Sequence, residues 1–397
     1  MKKFLFLILC SVILSISPAC FSQDTSVELI FTGDVLMHYA VKGCALVHSG
    51  NDEAGYTQKG FEYLFERISP ELKSADFAIT NMEFPVSPPF IQDEFIFNCP
   101  PEVVPAFKAA GFCAVSTANN HLLDQGMKGV TDTFGYIENA GLQYFGARRT
   151  EKEAAEGIIL EKNGIRVGIT SYTGILNYPF PPANKNFYLN NLSLTDKVMA
   201  EIRAMKKRCD YLVVQPHAGV EYTQEPTAEQ RALYRKLLDA GADIVIGHHP
   251  HTIQYVEGVK TRDGRQCAIF YSLGNFICNQ NYTYPVKGRK DRLDIRSSFM
   301  PRLKILKSAN GVKGTVTVVP IVTLHEMKNT SRREYKDIQT VSIPLELARL
   351  AEESKTADAK RRAAIDKEAA FYRWNADMVK YVLFRKGPVA GVEFRGE

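Results

Sequence analysis

Short apolar runs alternate with longer amphipathic stretches along most of the chain, and that alternation restricts the fold more than any other feature. VELIFTG (27–33), ADFAITN (75–81), CAVSTAN (113–119), RVGITSY (166–172), YLVVQPH (211–217), DIVIG (243–247) and CAIFYSLGN (267–275) are rich in β-branched or aromatic residues and bounded by turn chemistry. Each predicts a strand. Helical periodicity falls between them, around 61–73, 102–110, 128–140, 195–208 and 227–240. A β-then-α order of this kind predicts a layered α/β fold with a largely parallel core sheet. After Asn275 the pattern changes: RLKILK (302–307) and GTVTVVPIVTL (314–324) read as a two-stranded finish. From Pro344 onward the chain is rich in Ala, Glu, Lys and Arg and reads as helices with solvated charged faces.

The first 22 residues stand apart. Lys2 and Lys3 precede FLFLILCSVILSI, followed by SPAC and FSQ. A basic start, a short apolar run and small residues read as an export signal, from which the mature protein is expected in the cell envelope, periplasmic or lipid-anchored. Two processing routes are open: cleavage before Cys20 with lipid modification of that cysteine, or release after Ser22. The expected division is therefore 1–22 signal, 23–330 α/β domain and 331–397 helical C-terminal extension.

With 397 residues, the chain can bury a sizeable core. Its formal charge of +5 becomes +3 once a signal carrying two lysines and no acids is removed, too near neutral to argue for a nucleic-acid partner. Beyond Cys20 lie Cys44, Cys99, Cys113, Cys209, Cys267 and Cys278, none in a CxxC pair, which argues against a zinc ribbon. Cys113, Cys209 and Cys267 stand at or beside strand starts and read as small buried thiols.

The chemistry gathers at strand ends. TGDV puts Asp34 just after the first strand, and NMEF puts Asn81 and Glu83 at the end of the second. TANNHLLDQG places Asn119, Asn120, His121 and Asp124 after the third. His217 ends YLVVQPH, GHHPH brings His248, His249 and His251 after the next, and Asn275 ends SLGN. Taken singly, each has a bland role: an Asp after a strand serves a turn or a cap, and a lone His sits satisfied in a core. Six strands delivering such groups to one edge is another matter, because ligands of open α/β sheets bind beyond the carboxyl ends of the strands. In an extended segment His249 and His251 share one side while His248 faces away. Carboxylates, amide oxygens and imidazoles together form an oxygen and nitrogen set suited to Mn, Fe or Zn.

GDVLM, NMEF, ANNHLLDQG, PHAGVEY, GHHPHTIQ and YSLGNF, in this order across roughly residues 27–325, resemble the bacterial CapA family. That family is also called the PgsA or poly-γ-glutamate capsule-synthesis family. The resemblance implies a calcineurin-like metallophosphoesterase fold of four layers, α/β/β/α, around a two-metal site. By resemblance, Asp34, Glu83, Asn119 or Asn120, His217, His249 and His251 would hold two divalent ions (Mn, Fe or Zn), with Glu83 bridging. His121 would serve as acid to the leaving group, oriented by Asp124. Two positions depart from calcineurin-like enzymes. Leu36 stands where they carry a His, with His38 as the candidate substitute, and Glu83 replaces an Asp. His38, Asn81, His248 and Asn275 are assigned to substrate or to support of the ligands.

Three functional readings follow. The first is an exported protein of capsule or envelope polymer biosynthesis with a metal-dependent hydrolase site. The second is a phosphatase or phosphodiesterase acting on an envelope lipid or glycan phosphate. The third is a non-catalytic accessory subunit of a membrane polymer synthase.

Overall fold

Strands covered on both faces must be apolar on both faces, and the central runs obey this: every residue of Tyr211–His217 is buried. The computed structural model describes residues 24–50, 55–90, 96–181, 186–280, 295–329 and 334–396; the expected export signal lies outside them. The first sheet runs Glu334–Ser342, Gly311–Asn329, Ser297–Ser308, Thr25–Val35, Phe77–Met82, Phe112–Ser116 and Gln143–Phe145, with Asn275–Ile277 added beside Thr25–Val35. From Thr25–Val35 to Gln143–Phe145 the neighbours are parallel, and the other side is antiparallel. The second sheet runs Val256–Lys260, Gln266–Phe270, Ile244–Ile246, Tyr211–His217, Ile165–Thr173 and Ile158–Lys162, parallel at its centre with an antiparallel strand at each edge.

Side-chain alternation sorts these residues into layers. Val27, Leu29 and Phe31 of the first sheet meet Tyr211, Val213, Ile244 and Ile246 of the second in one core between the sheets. Ile30 points the other way, into a second core with Phe61, Phe65, Phe107 and Phe134 from the helices outside. Leu212, Val214 and Val245 likewise face out, against Val198, Ile202, Tyr234 and Leu237 of the helices Thr195–Lys206 and Ala228–Ala240. The result is the α/β/β/α layering. Among the described residues no helix is long and apolar enough to cross a membrane, and five of the six described cysteines are buried, Cys113 being partly exposed.

The C-terminal residues differ from a purely helical extension. Helices Ile343–Ser354 and Ala359–Leu383 are present. Around them, Glu334–Ser342 pairs antiparallel with Gly311–Asn329, and Val392–Phe394 pairs parallel with the same strand. These two strands tie the tail into the first sheet. The mixed polar pattern of EYKDIQTVS hides a strand, because its buried polar side chains are satisfied by hydrogen bonds: Gln339 donates to the Tyr63 carbonyl, Thr340 to the Phe276 carbonyl and Ser342 to Glu71 Oε2. Helix Tyr39–Val47, which follows the first strand directly, is also absent from the periodicity of the sequence; it buries Val41, Lys42, Cys44 and Ala45.

Candidate metal centre

Two glycines let the strand ends converge. A Cβ at Gly33 would stand 2.0 Å from the carbonyl oxygen of Gly274, and one at Gly247 would stand 2.1 Å from that of Tyr271. Both contacts are with backbone, so no other residue fits without moving a strand. Beside them, Asp34 is in register with Asn81 on one neighbouring strand and Asn275 on the other, and the ladder is irregular there. Irregularities of this kind re-aim side chains beside functional sites.

Asp34 is fully buried. Its Oδ1 accepts from Asn81 Nδ2 at 2.8 Å and from His248 Nδ1 at 2.8 Å, and its Oδ2 accepts from the His249 backbone N–H at 3.2 Å. His251 Nδ1 lies 3.4 Å from the same Oδ2. Burial alone would raise its pKa, yet the hydrogen bonds and charges of His248 and His251 hold it well below the usual carboxylate range. Glu83 goes the opposite way. Burial, then the negative charges of Asp34, Glu221 and Asp124, pushes it well above that range.

Around these acids, two groups of ligand-type atoms each lie within 4.8 Å of one another: Asp34, Glu83 and His217, and Glu83, His249 and His251. Glu83 belongs to both. Its Oε1 stands 3.5 Å from His217 Nε2 and 3.7 Å from His251 Nε2. Burial holds His217 well below the ordinary imidazole pKa, followed by the charge of His249, and burial with the charge of His251 lowers His249 to about 3. Neutral imidazoles are the form that ligates metals. Glu83 Oε1 and His249 Nδ1 are buried without a hydrogen-bond partner. Orphaned acceptors beside a neutral imidazole and an ionised Asp34 fit a divalent cation, which would satisfy them together.

The remaining predicted residues fall around this centre. Asn120 Oδ1 is 2.7 Å from His217 Nε2, whereas Asn119 turns back to donate to Asn81 Oδ1 (3.2 Å) and the Met82 carbonyl (2.9 Å). Asn275 Oδ1 lies 3.0 Å from His251 Nδ1, which leaves that ring's Nε2 aimed at Glu83. His121 Nδ1 lies 2.7 Å from Asp124 Oδ2, and that carboxylate also accepts from the Phe97 backbone N–H at 2.6 Å. His38 joins neither acid and imidazole group. It precedes helix Tyr39–Val47, accepts at Nδ1 from the Asn279 backbone N–H (3.3 Å) and meets Phe97 edge-on.

The parity expectation for GHHPH does not hold. The backbone is not extended: φ is +96° at His249 and +57° at His251, on either side of Pro250. His249 and His251 both reach Glu83, but His248 is no bystander, since it holds Asp34.

A cleft of about 370 Å³ opens over the centre, lined by His38, His121, Asn120 and His251. Asn177, Glu221 and Tyr222 line it too and were not read from the sequence. Asn177 follows strand Ile165–Thr173 and accepts from Asn120 Nδ2 at 3.1 Å; its place after a strand end was the available signal.

Residues 28–280 match the model of the family described as bacterial capsule synthesis protein PGA_cap. The chain belongs to that family. It is 31% identical over 284 residues to the capsule biosynthesis protein CapA of Bacillus anthracis, a match spanning 68% of this chain and 64% of that protein. It is 32% identical over 266 residues to the PGA biosynthesis protein CapA of Bacillus subtilis (strain 168), spanning 66% of each. Less than two thirds of either relative's own length is covered. Among solved structures, the NAD nucleotidase of Haemophilus influenzae overlaps 94% of this chain and 58% of its own, at 8% identity and a TM-score of 0.42.

Proposed function

We propose that this family member is an exported envelope protein of capsule or poly-γ-glutamate synthesis whose cleft carries a two-cation, hydrolase-type site. The observation that carries the reading is the pair of acid and imidazole groups sharing Glu83 at the floor of a cleft that also presents His121. Asp34, Glu83, Asn120, His217, His249 and His251 are the residues that would hold the cations (Mn, Fe or Zn). Divalent cations held there would supply Lewis-acid polarisation of a scissile ester or amide and charge stabilisation of its leaving oxygen or nitrogen.

The chain's own groups do the rest. Asp124 fixes the His121 ring through Nδ1, so Nε2 is the atom available to give a proton to a leaving group in the cleft. His248 and Asn81 hold the Asp34 carboxylate in place, and Asn275 holds the His251 ring. Among the described residues lining the cleft none is Lys or Arg, and Glu221 is acidic.

The test is the metal-reconstituted mature chain assayed against a phosphoester panel and poly-γ-glutamate. Metal-dependent cleavage of either supports the hydrolase reading and selects the substrate class. Cleavage of neither, by protein with metal bound, overturns it and leaves an accessory role beside a membrane synthase. Export rests on the basic and apolar N-terminus. Mass analysis of protein from its own host should find chains beginning at a diacylated Cys20 or at Gln23, and intact Met1 on most molecules contradicts it.

A further inference from the structure

Away from the cleft, another group of ligand-type side chains comes together among the described residues: Cys44, His48 and Asp337. Cys44 and His48 are four residues apart, at the C-terminal end of helix Tyr39–Val47, so they rise from one face a turn apart. Asp337 comes from strand Glu334–Ser342, on which that helix packs. All three ligand atoms lie within 4.8 Å of one another. Cys44 Sγ is 3.8 Å from Asp337 Oδ1, and His48 Nε2 is 3.6 Å from the same oxygen. A tetrahedral zinc with its usual bond lengths sets neighbouring ligand atoms about 3.4–3.6 Å apart. The observed edges are within a few tenths of an ångström of that, before any cation draws them in.

The surroundings hold each group in place. The His48 ring stacks on Tyr63 with centroids 3.4 Å apart and planes 9° from parallel. Gln339, two residues along the strand from Asp337 and so on its face, donates to the Tyr63 carbonyl at 2.7 Å. The backbone N–H of Ile338 donates to Cys44 Sγ at 3.4 Å, a contact that favours sulfur in its thiolate form. Cys44 is buried, while the side chains of His48 and Asp337 are 26% and 15% exposed. Two of the three groups thus belong to side chains that reach towards solvent.

We propose that Cys44, His48 and Asp337 form a binding site for one zinc-type divalent cation, separate from the cleft. A thiolate, an imidazole and a carboxylate together select a borderline-soft ion over Mg or Ca. Forming the sulfur–metal bond releases the thiol proton to solvent. Burial holds the free thiol at about 12, so occupancy falls as pH falls. The bound cation would pin the helix to the strand at one end, while His38 at the helix's other end lines the cleft.

The full chain, stripped with chelator and reloaded with Co²⁺, tests this. Cobalt on a thiolate absorbs strongly in the near ultraviolet through sulfur-to-metal charge transfer, and the cleft's ligand set contains no sulfur. The parent and Glu83→Gln proteins should show the band. Cys44→Ser and His48→Ala should lose it and bind one fewer equivalent of Zn²⁺ per chain by mass-spectrometric stoichiometry. His48 is partly exposed, so its variant reads the site even where the Cys44 change disturbs the core. A parent protein without the band, or a band that survives either substitution, overturns the site and leaves a buried hydrogen-bonded thiol.

Discussion

Around the candidate cation positions the first sheet brings carboxylates and amides, in Asp34, Glu83, Asn120 and Asn275, whereas the second brings imidazoles, in His217, His248, His249 and His251. The halves are built differently. The acid half is set by strand register, with Asp34 in line between Asn81 and Asn275. The imidazole half is set by a turn whose residues take left-handed conformations at His249 and His251, a cost of order 1–3 kcal/mol each for residues other than glycine. Neither half is complete alone. Two nearby carboxylates repel, as the opposite displacements of Asp34 and Glu83 record, and the imidazoles need an anionic partner. The site exists only once the core between the sheets has closed.

Glu83 is where breaking the comparison should show the largest effect, because both ligand groups use it. Glu83→Gln should weaken metal binding by more than the roughly 10–100-fold that the loss of an outer partner costs, and abolish metal-dependent activity. In metal-free protein the sign reverses. A carboxyl whose folded pKa is raised opposes folding increasingly as pH climbs above its ordinary value of 4.5, and not below it. Metal-free Glu83→Gln should therefore melt a few degrees higher than the parent at neutral pH, with the gap closing near pH 4.5. Asp34, held low, contributes stability above the carboxylate range and loses it as pH falls. Calorimetry with and without chelator reads both signs, and an unchanged metal-free melting temperature across pH removes the argument for a strained Glu83.

His121 should separate chemistry from assembly. It belongs to neither ligand group, so His121→Ala should keep the bound metal while lowering the rate of any metal-dependent hydrolysis by roughly 10²–10⁴. Equal rates in variant and parent would remove its acid role. Asp124→Asn, which keeps the ring contact but changes its charge, should fall between the two.

The acid half was the more legible in sequence because strand ends announce themselves: Asp34, Asn81, Glu83 and Asn120 each follow an apolar run that forms a strand. The imidazole half was legible in composition but not in direction. Alternation applies to extended backbone, which ends here at His248, bridged to His217 and set against Asp34; positive φ follows on both sides of Pro250, with His249 and His251 at Glu83. Asn177, Glu221 and Tyr222 lie on loops with no periodicity to betray them, and Tyr222 too has a positive φ of 55°. The layering followed from alternating elements, but the strand Glu334–Ser342 did not, since buried polar residues held by hydrogen bonds, Gln339, Thr340 and Ser342, interrupt its apolar pattern.

The histidine series follows in size. His249→Ala and His251→Ala each remove a ligand-type atom from the group around Glu83 and should each cost about one metal equivalent under limiting free metal. His248→Ala removes the donor that holds Asp34 Oδ1 and should keep both equivalents at an affinity lower by roughly 10–100-fold. Metal titrations of the three variants distinguish these outcomes. Identical titrations would show that the turn acts as one structural unit rather than as separate ligands and support.

The smallest effect belongs to Asn275, the amide by which the acid half steers a ring of the imidazole half. Its Oδ1 lies 3.0 Å from His251 Nδ1, while its Nδ2 donates to Gln280 Oε1 at 2.8 Å, so the amide cannot swing away from the ring. Asn275→Ala frees one side of His251. The ring keeps a second neighbour, however, because Asp34 Oδ2 stands 3.4 Å from the same nitrogen. Partial loss of an orienting bond should cost about 1 kcal/mol, or roughly fivefold in metal affinity, with stoichiometry unchanged. Asn275→Asp separates charge from orientation: an acceptor at the same place but ionised should restore the orientation and strengthen binding. If Asn275→Ala instead empties the site as Glu83→Gln does, the two halves are joined through this amide rather than through the shared carboxylate.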